Sequence, residues 1–300
     1  ILGEAISNCP PRSDLGRPRL SVDRVFTISG FGTVVTGTLT DGHLNVGEEV
    51  AILPQELRGR IRGLQTHKRQ EKSAVPGSRT AVNISGVDVN QIQRGDVVIT
   101  PDKYQATRRL DVHFRMLSDV SQPLRHNTEV KLFVGASEVI ARLRLLGTDL
   151  LKPGDEGWLQ LELGDPVVVV RGDRYVLRRP SPGETLGGGI VLDPQPSGRH
   201  KRYNQELLER LEALVEGTPE DVLLQAFLTL GITQLKEVIA RSSLEPSIAQ
   251  QAVDSLITDN QVIVFDHDSE VIQPGTLVAS YSYWRQLTDQ AEKEIKTYHD

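Results

Sequence analysis

Cysteine occurs once in the 300 residues, as Cys9, and methionine once, as Met116. A single thiol excludes an internal disulfide framework, and the seven histidines show no metal-ligand spacing with it or with one another. No stretch is long and apolar enough for a signal peptide or a membrane span, so the sequence reads as cytoplasmic, with no membrane partner. Neither G-x-x-x-x-G-K-[ST] nor N-K-x-D occurs, which excludes the known phosphate-loop and guanine-reading signatures. No serine stands in a nucleophile-elbow context. The chain therefore offers no catalytic residue and no metal ligand. It opens at Ile1 without a targeting pattern, as a segment cut from something longer would.

What is present points to β-structure first and helices later. Three hundred residues suggest two or three domains, and 26 Gly and 16 Pro among many Val, Ile and Thr favour short strands with frequent turns. From Leu20 the chain alternates, with Leu20, Val22, Phe26 and Ile28 on one face and Ser21, Asp23 and Thr27 on the other. Turn signals at Gly47-Glu48-Glu49, Pro76-Gly77 and Arg94-Gly95-Asp96 precede further strands, which together read as a small closed barrel over 1–103. Pro101-Asp102 marks a boundary to a second barrel over 104–195, where Lys152-Pro153-Gly154-Asp155 repeats the device before Trp158 to Leu163.

After the linker Pro194-Gln195-Pro196-Ser197-Gly198 the period becomes helical. Leu207, Leu208, Leu211, Leu214 and Val215 form one stripe, and Thr218-Pro219-Glu220-Asp221 is a helix start. Helices are expected at 232–240 and 246–257, then a hairpin of Val262 to Phe265 and Val271-Ile272 around Asp266-His267-Asp268-Ser269. Helices followed by a hairpin describe a winged helix over 196–275, and 276–300 reads as a helix leading into a further domain. The fold class is multi-domain: two all-β barrels, then an α-rich winged-helix domain.

Charge divides the same way. Residues 201–300 carry 8 Lys/Arg against 17 Asp/Glu, a net of −9, and residues 1–200 carry 26 against 23, a net of +3. A polyanionic partner should meet the first two thirds. The fourth helix carries Glu245, Asp254 and Asp259 and no basic residue, which argues against DNA reading. Gly30-Phe31-Gly32 and Gly187-Gly188-Gly189 run into β-like residues rather than opening a helix, so they read as turns or close backbone packing and not as phosphate cradles. Arg24 breaks the pattern, because strict alternation sets it among Val22, Phe26 and Ile28. It must lie at a rim, pair with an acid or await an anion, and spacing alone favours the rim. Arg142, Arg144, Arg178 and Arg179, with Arg199, Lys201 and Arg202 beyond them, suit contacts to a nucleic-acid backbone, and ordinary solvated surface explains them nearly as well.

The stretch Asp23-Arg24-Val25-Phe26-Thr27-Ile28-Ser29-Gly30-Phe31-Gly32-Thr33-Val34-Val35-Thr36-Gly37-Thr38 resembles the start of domain II of translational GTPases. With Gly63-Leu64-Gln65-Thr66-His67, Gln93-Arg94-Gly95-Asp96, Glu184-Thr185-Leu186-Gly187-Gly188-Gly189 and the winged helix that follows, it is most similar to the selenocysteine-specific elongation factor family from about Arg17 onward. The resemblance implies a selenocysteyl pocket shaped by Arg24 and Arg79 with Asp23. Phe26, Thr36 and His67 match other lining positions, with core packing an equal explanation for Phe26 and Thr36. It implies selenocysteyl-tRNA and the ribosome as partners. GTP and magnesium would bind a domain outside this chain, as would the mRNA hairpin. Glu184 departs from the pattern, standing where elongation factor Tu has a basic residue near the tRNA. The rival readings are another translational GTPase relative, a GTPase-like sulfate adenylyltransferase subunit, and a protein-interaction module.

Overall fold

The structure is a computed structural model that describes residues 16–299 apart from Phe31, Gly217, Ser243 and 266–271. Cys9, the middle residue of the Gly30-Phe31-Gly32 motif and the expected turn Asp266-His267-Asp268-Ser269 with Val271 lie outside the described residues.

The first barrel is built from β1 (Arg19–Ile28), β2 (Gly32–Asp41), β3 (Leu44–Asn45), β4 (Glu49–Leu53), β5 (Leu57–Thr66), β6 (Arg69–Glu71), β7 (Ser73–Ala74), β8 (Arg79–Ser85) and β9 (Val97–Ile99). Six of these close in the order β4-β9-β1-β2-β8-β5, with β4 pairing back onto β5. Closure removes sheet edges, and β-branched side chains fill the interior: Val22, Val35, Val50, Ile52, Val82 and Val98 are fully buried. The hairpin β5–β6 turns through His67 and Lys68, whose φ angles of 51° and 64° give the two-residue turn that matches strand twist.

The second barrel comprises β10 (Thr107–Met116), β11 (Leu124–Arg125), β12 (Glu129–Val134), β13 (Ser137–Leu146), β14 (Leu150–Leu151), β15 (Glu156–Val167), β16 (Arg174–Arg179) and β17 (Glu184–Asp193). It closes as β10-β15-β13-β12-β16-β17 around Leu110, Phe114, Leu132, Leu143, Leu159 and Leu177. The triplet Gly187-Gly188-Gly189 lies inside β17, where a Cβ would collide with the carbonyl oxygens of Arg115, Tyr175 and His113. Backbone proximity, not ligand binding, requires glycine there. The two barrels dock through Ala51, Leu53, Val97 and Ile99 against Val168 and through the ion pair of buried Arg19 with half-buried Asp173.

The third unit holds α1 (Gln205–Glu216), α2 (Pro219–Leu230), β18 (Thr233–Gln234), α3 (Leu235–Ser242), α4 (Pro246–Thr258), β19 (Val262–Val264), β20 (Leu277–Ser280) and α5 (Tyr281–His299). Thr218 is the expected N-cap of α2, and Asp221 completes a capping box with it. Three boundaries differ from the sequence reading. β19 pairs with β20, so Leu277–Ser280 is the central strand of a sheet ordered β18-β20-β19 and not the start of a separate helix at 276–300. Its apolar residues suit either state, and partners on both edges together with burial of Val278 decide for the strand. The helix expected from Ile232 begins instead at Leu235, because Thr233–Gln234 pairs with that same strand. Finally, α1 packs onto the second barrel: Leu207, Leu211 and Leu214 meet Leu146 and Leu192, and the core of α2, α3, α4 and the sheet is separate.

The linker before α1 is strapped to that barrel. Gln160 donates to Gly198 O (3.0 Å), Arg144 to His200 O (3.0 Å) and Gly147 N to Arg202 O (2.7 Å), while His200 Nε2 lies 2.6 Å from Asp111 Oδ2. Arg171 closes the junction by donating to Leu214 O (2.6 Å) and Ser242 O (3.5 Å), carbonyls left unpaired at the ends of α1 and α3. Among the described residues no helix is long and apolar enough to cross a membrane.

Leu211 is fully buried at this junction. Leu211→Ala is expected to cost about 2–5 kcal/mol in urea unfolding, as cavity-forming core truncations do. A loss below about 0.5 kcal/mol, the range of ordinary surface substitutions, would show that α1 is only loosely laid on the barrel.

Candidate functional site on the outer face of the first barrel

Strand β1 does not keep a regular alternation. Val22 faces Gly37 and Arg24 faces Thr36 of β2, which leaves Asp23 as an extra residue in a β-bulge. The bulge shifts the parity of everything after it. Val22 and Val25, three residues apart, both pack on the barrel core, and Arg24, Phe26 and Ile28 turn outward. The sequence expectation that Arg24 shares the inward face with Val22 is thereby corrected: the strand spends one unpaired residue and keeps a guanidinium out of an apolar core. Phe26 is 39% exposed, so it and Thr36, which points to the same side, have no core-packing role.

The bulged Asp23 is the hub of this face. Arg79 of β8 meets it as a fork, Nε to Oδ2 at 3.0 Å and Nη2 to Oδ1 at 2.8 Å, and the Thr36 hydroxyl donates to Oδ1 at 2.7 Å. Asp23 therefore orients Arg79. Partial burial pushes its carboxyl upward, but the bonds from Arg79 and Thr36 and the charges of Arg79 and Arg24 outweigh this and hold it below the usual carboxylate range. The same contact raises the Arg79 guanidinium, which stays charged. Arg24 is exposed and makes no hydrogen bond or ion pair among the described residues. One fixed ion pair beside one uncompensated cation gives this surface a net positive charge in a defined geometry.

Strand register extends the site across four strands. One row is Arg24, Thr36, Ala81 and Gln65, and the next is Phe26, Val34, Asn83 and Gly63. Ile28, Val34, Gly63, Gln65, Ala81 and Asn83 line a groove of about 410 Å³, with Val46 and Arg62 also at its wall. Leu64, Gln70 and Glu71 complete the lining, so apolar side chains, three amides and one carboxylate make it suited to a flat, hydrogen-bonding ring. Sequence reasoning missed these residues, although Arg79, Ala81 and Asn83 are the outward positions of a strand whose Thr80, Val82 and Ile84 are buried. His67 sits exposed at the β5–β6 turn, one residue beyond Thr66, which opposes Thr80, and it joins no contact of the Asp23 cluster.

The basic residues of the second barrel divide by use. Arg144 is only 8% exposed and is bound to the linker. Arg202 donates to Leu145 O, Thr148 O and Asp149. Arg179 is held by Glu184 and Gln122 O, and Glu184 also accepts from Ser121. These three arginines maintain the fold. Arg142, Arg178, Arg199 and Lys201 keep exposed side chains, Arg199 with Glu162 at 3.3 Å. Among the described residues no cluster of His, Cys, Asp or Glu could hold a metal ion.

Comparison with known proteins gives two family matches. Residues 32–99 match elongation factor Tu domain 2, and residues 111–198 match the β-barrel domain of selenocysteine-specific elongation factors. The chain is 37% identical over 261 residues to the selenocysteine-specific elongation factor of Desulfomicrobium baculatum, covering 86% of this chain and 40% of that protein. It is 30% identical over 220 residues to the Escherichia coli factor of the same name, covering 73% and 34%. Elongation factor 1-alpha of Pyrobaculum aerophilum is 28% identical over 209 residues, covering 63% and 47%. The chain thus spans less than half the length of each of these relatives.

A depressed carboxyl fixes the direction of a titration. Asp23 contributes its ion pair above the unfolded aspartate value near 3.9 and loses it as pH falls through the lower folded value. Carbon NMR of the Asp23 carboxyl should show a midpoint below the ordinary range, moving up in Arg79→Gln. A midpoint at the ordinary value, unmoved by that change, would mean that the fork does not form.

Proposed function

The chain belongs to the selenocysteine-specific elongation factor family, and on that ground we propose that it binds the aminoacyl end of selenocysteyl-tRNA and serves its delivery to the ribosome at recoded UGA codons. The observation that carries the reading is Arg24, an unpaired cation held beside the Asp23–Arg79 fork. Selenocysteine differs from serine and cysteine in that its selenol is already ionised at neutral pH, so fixed positive charge selects it. Arginine suits this role because it stays protonated and presents planar donors. Asp23 balances the charge of Arg79, which leaves Arg24 as the net charge reader. Arg79 adds its Nη1 edge, since Nε and Nη2 face Asp23.

The terminal nucleoside, joined to the amino acid by the ester, lies in the adjoining groove. There Ile28 and Val34 meet the base face, and Gln65 and Asn83 offer amide donors and acceptors. Arg142, Arg178, Arg199 and Lys201 serve the tRNA backbone further on. The third unit, read as a winged helix with its acidic surface, acts as a spacer and not as a reader of DNA or of the mRNA hairpin. GTP and magnesium belong to a part of the factor outside these residues, and the chain itself is not the enzyme.

Arg24→Ala should lower the preference for selenocysteyl- over seryl-tRNA by roughly one to two decades, the worth of one hydrogen bond to a charged group, with seryl-tRNA binding unchanged in filter assays. Gly63→Leu should weaken both tRNAs together, because a Cβ at Gly63 meets no atom within 4 Å and the rest of the side chain then occupies the groove. Parallel loss for both tRNAs in Arg24→Ala would reduce that arginine to a general phosphate contact and sink the cargo assignment.

A further inference from the structure

A second bulge lies in β5 and is aimed at the groove. Arg60 faces Ser85 and Ile61 faces Ile84 of β8, but Asn83 is met by Gly63, which makes Arg62 the extra residue. The bulge lets Ile61 and Leu64, three residues apart, both stay in the core at 1% and 3% exposure, a spacing that regular alternation would send to opposite faces. Gly63 becomes part of the groove, and Arg62 is expelled to its wall. Arg62 is exposed and makes no hydrogen bond or ion pair among the described residues. Its neighbours on the strand are placed differently: Arg58 is paired with Glu49 and Asp102, and Arg60, likewise without an ion pair among the described residues, stands opposite Glu49 and outside the groove lining.

Position along β8 gives this cation its meaning. Arg79 marks the amino-acid end, Ala81 and Asn83 flank the groove, and Arg62 sits beside the Asn83 end, about 13 Å farther along at two residues per pleat. A nucleotide strand whose last residue fills the groove must enter from that side.

Resting on the tRNA reading above, we propose that Arg62 is a phosphate clasp: it binds the backbone phosphodiester of the nucleotide strand where that strand enters the groove. The contact neutralises one charge irrespective of base or amino acid, so it sets affinity and its salt dependence, whereas Arg24 sets cargo preference.

The test titrates the full chain with seryl- and selenocysteyl-tRNA between about 50 and 200 mM potassium chloride. Arg62→Gln should lower the slope of log affinity against log salt by about 0.7 to 1 for both tRNAs and leave their ratio unchanged, with Arg62→Lys restoring the slope. Arg60→Gln should leave the slope as it is. A wild-type slope in Arg62→Gln, or a changed ratio between the two tRNAs, overturns the clasp. If cargo preference still collapses in Arg24→Ala under those conditions, the pocket reading stands without the clasp. If the unaltered chain binds neither tRNA, both fall.

Discussion

The bulge at Asp23 is the constraint on which the outer face of the first barrel depends, because one unpaired residue lets Val22 and Val25 both turn inward and sends Arg24 outward. Without it, either a valine or a guanidinium would occupy the wrong side, and the guanidinium is the costlier error. The unpaired residue is itself an acid, and its carboxylate takes the fork of Arg79 from a strand two places away. Folding of the barrel therefore builds the charged site in the same step that completes the core. Nothing flexible has to close for the Asp23–Arg79–Thr36 geometry to exist, which is the condition under which fixed charge discriminates well.

The bulge in β5 solves the same problem for Ile61 and Leu64 and likewise yields an outward arginine. Both extra residues border the same surface, one near the charged cluster and one at the far wall of the groove. Local breaks in the ladder thus re-aim charged side chains at one outer face while the interior stays apolar.

Arginines elsewhere have a different occupation. Arg171 and Arg144 satisfy backbone carbonyls at helix ends and in the linker, Arg202 of the linker satisfies those at the end of β13 and in the turn after it, and Arg19 pairs with Asp173 between the barrels. Five donors on a planar group suit this multiple bonding, and the result is a continuous packed connection from the first barrel to α4. The site on the first barrel consequently stands on a scaffold whose parts hold one another.

Much of this was legible in the sequence. Strand-and-turn spacing gave both barrels, Thr218 and Pro219 gave the start of α2, and the glycine triplet read correctly as backbone packing. The resemblance brought Asp23, Arg24 and Arg79 together before geometry did. Bulges escaped because a period-two argument cannot see a parity shift, although paired apolar residues three apart, Val22 with Val25 and Ile61 with Leu64, were the available signal. The use of Arg144 escaped because its burial comes from the linker strapped over the strand, a contact between residues 56 apart. The strand state of Leu277–Ser280 is set by its two partners, not by its own composition.

If Arg24 reads charge, a cargo whose charge can be switched on should gain affinity as it ionises. Cysteinyl-tRNA supplies this, since the ordinary thiol value lies near 8.5. Its affinity for the chain, measured between about pH 7 and pH 9, should climb toward that of selenocysteyl-tRNA while seryl-tRNA stays level, and the climb should vanish in Arg24→Ala. Cysteinyl- and seryl-tRNA curves that remain parallel across that range would contradict recognition by charge.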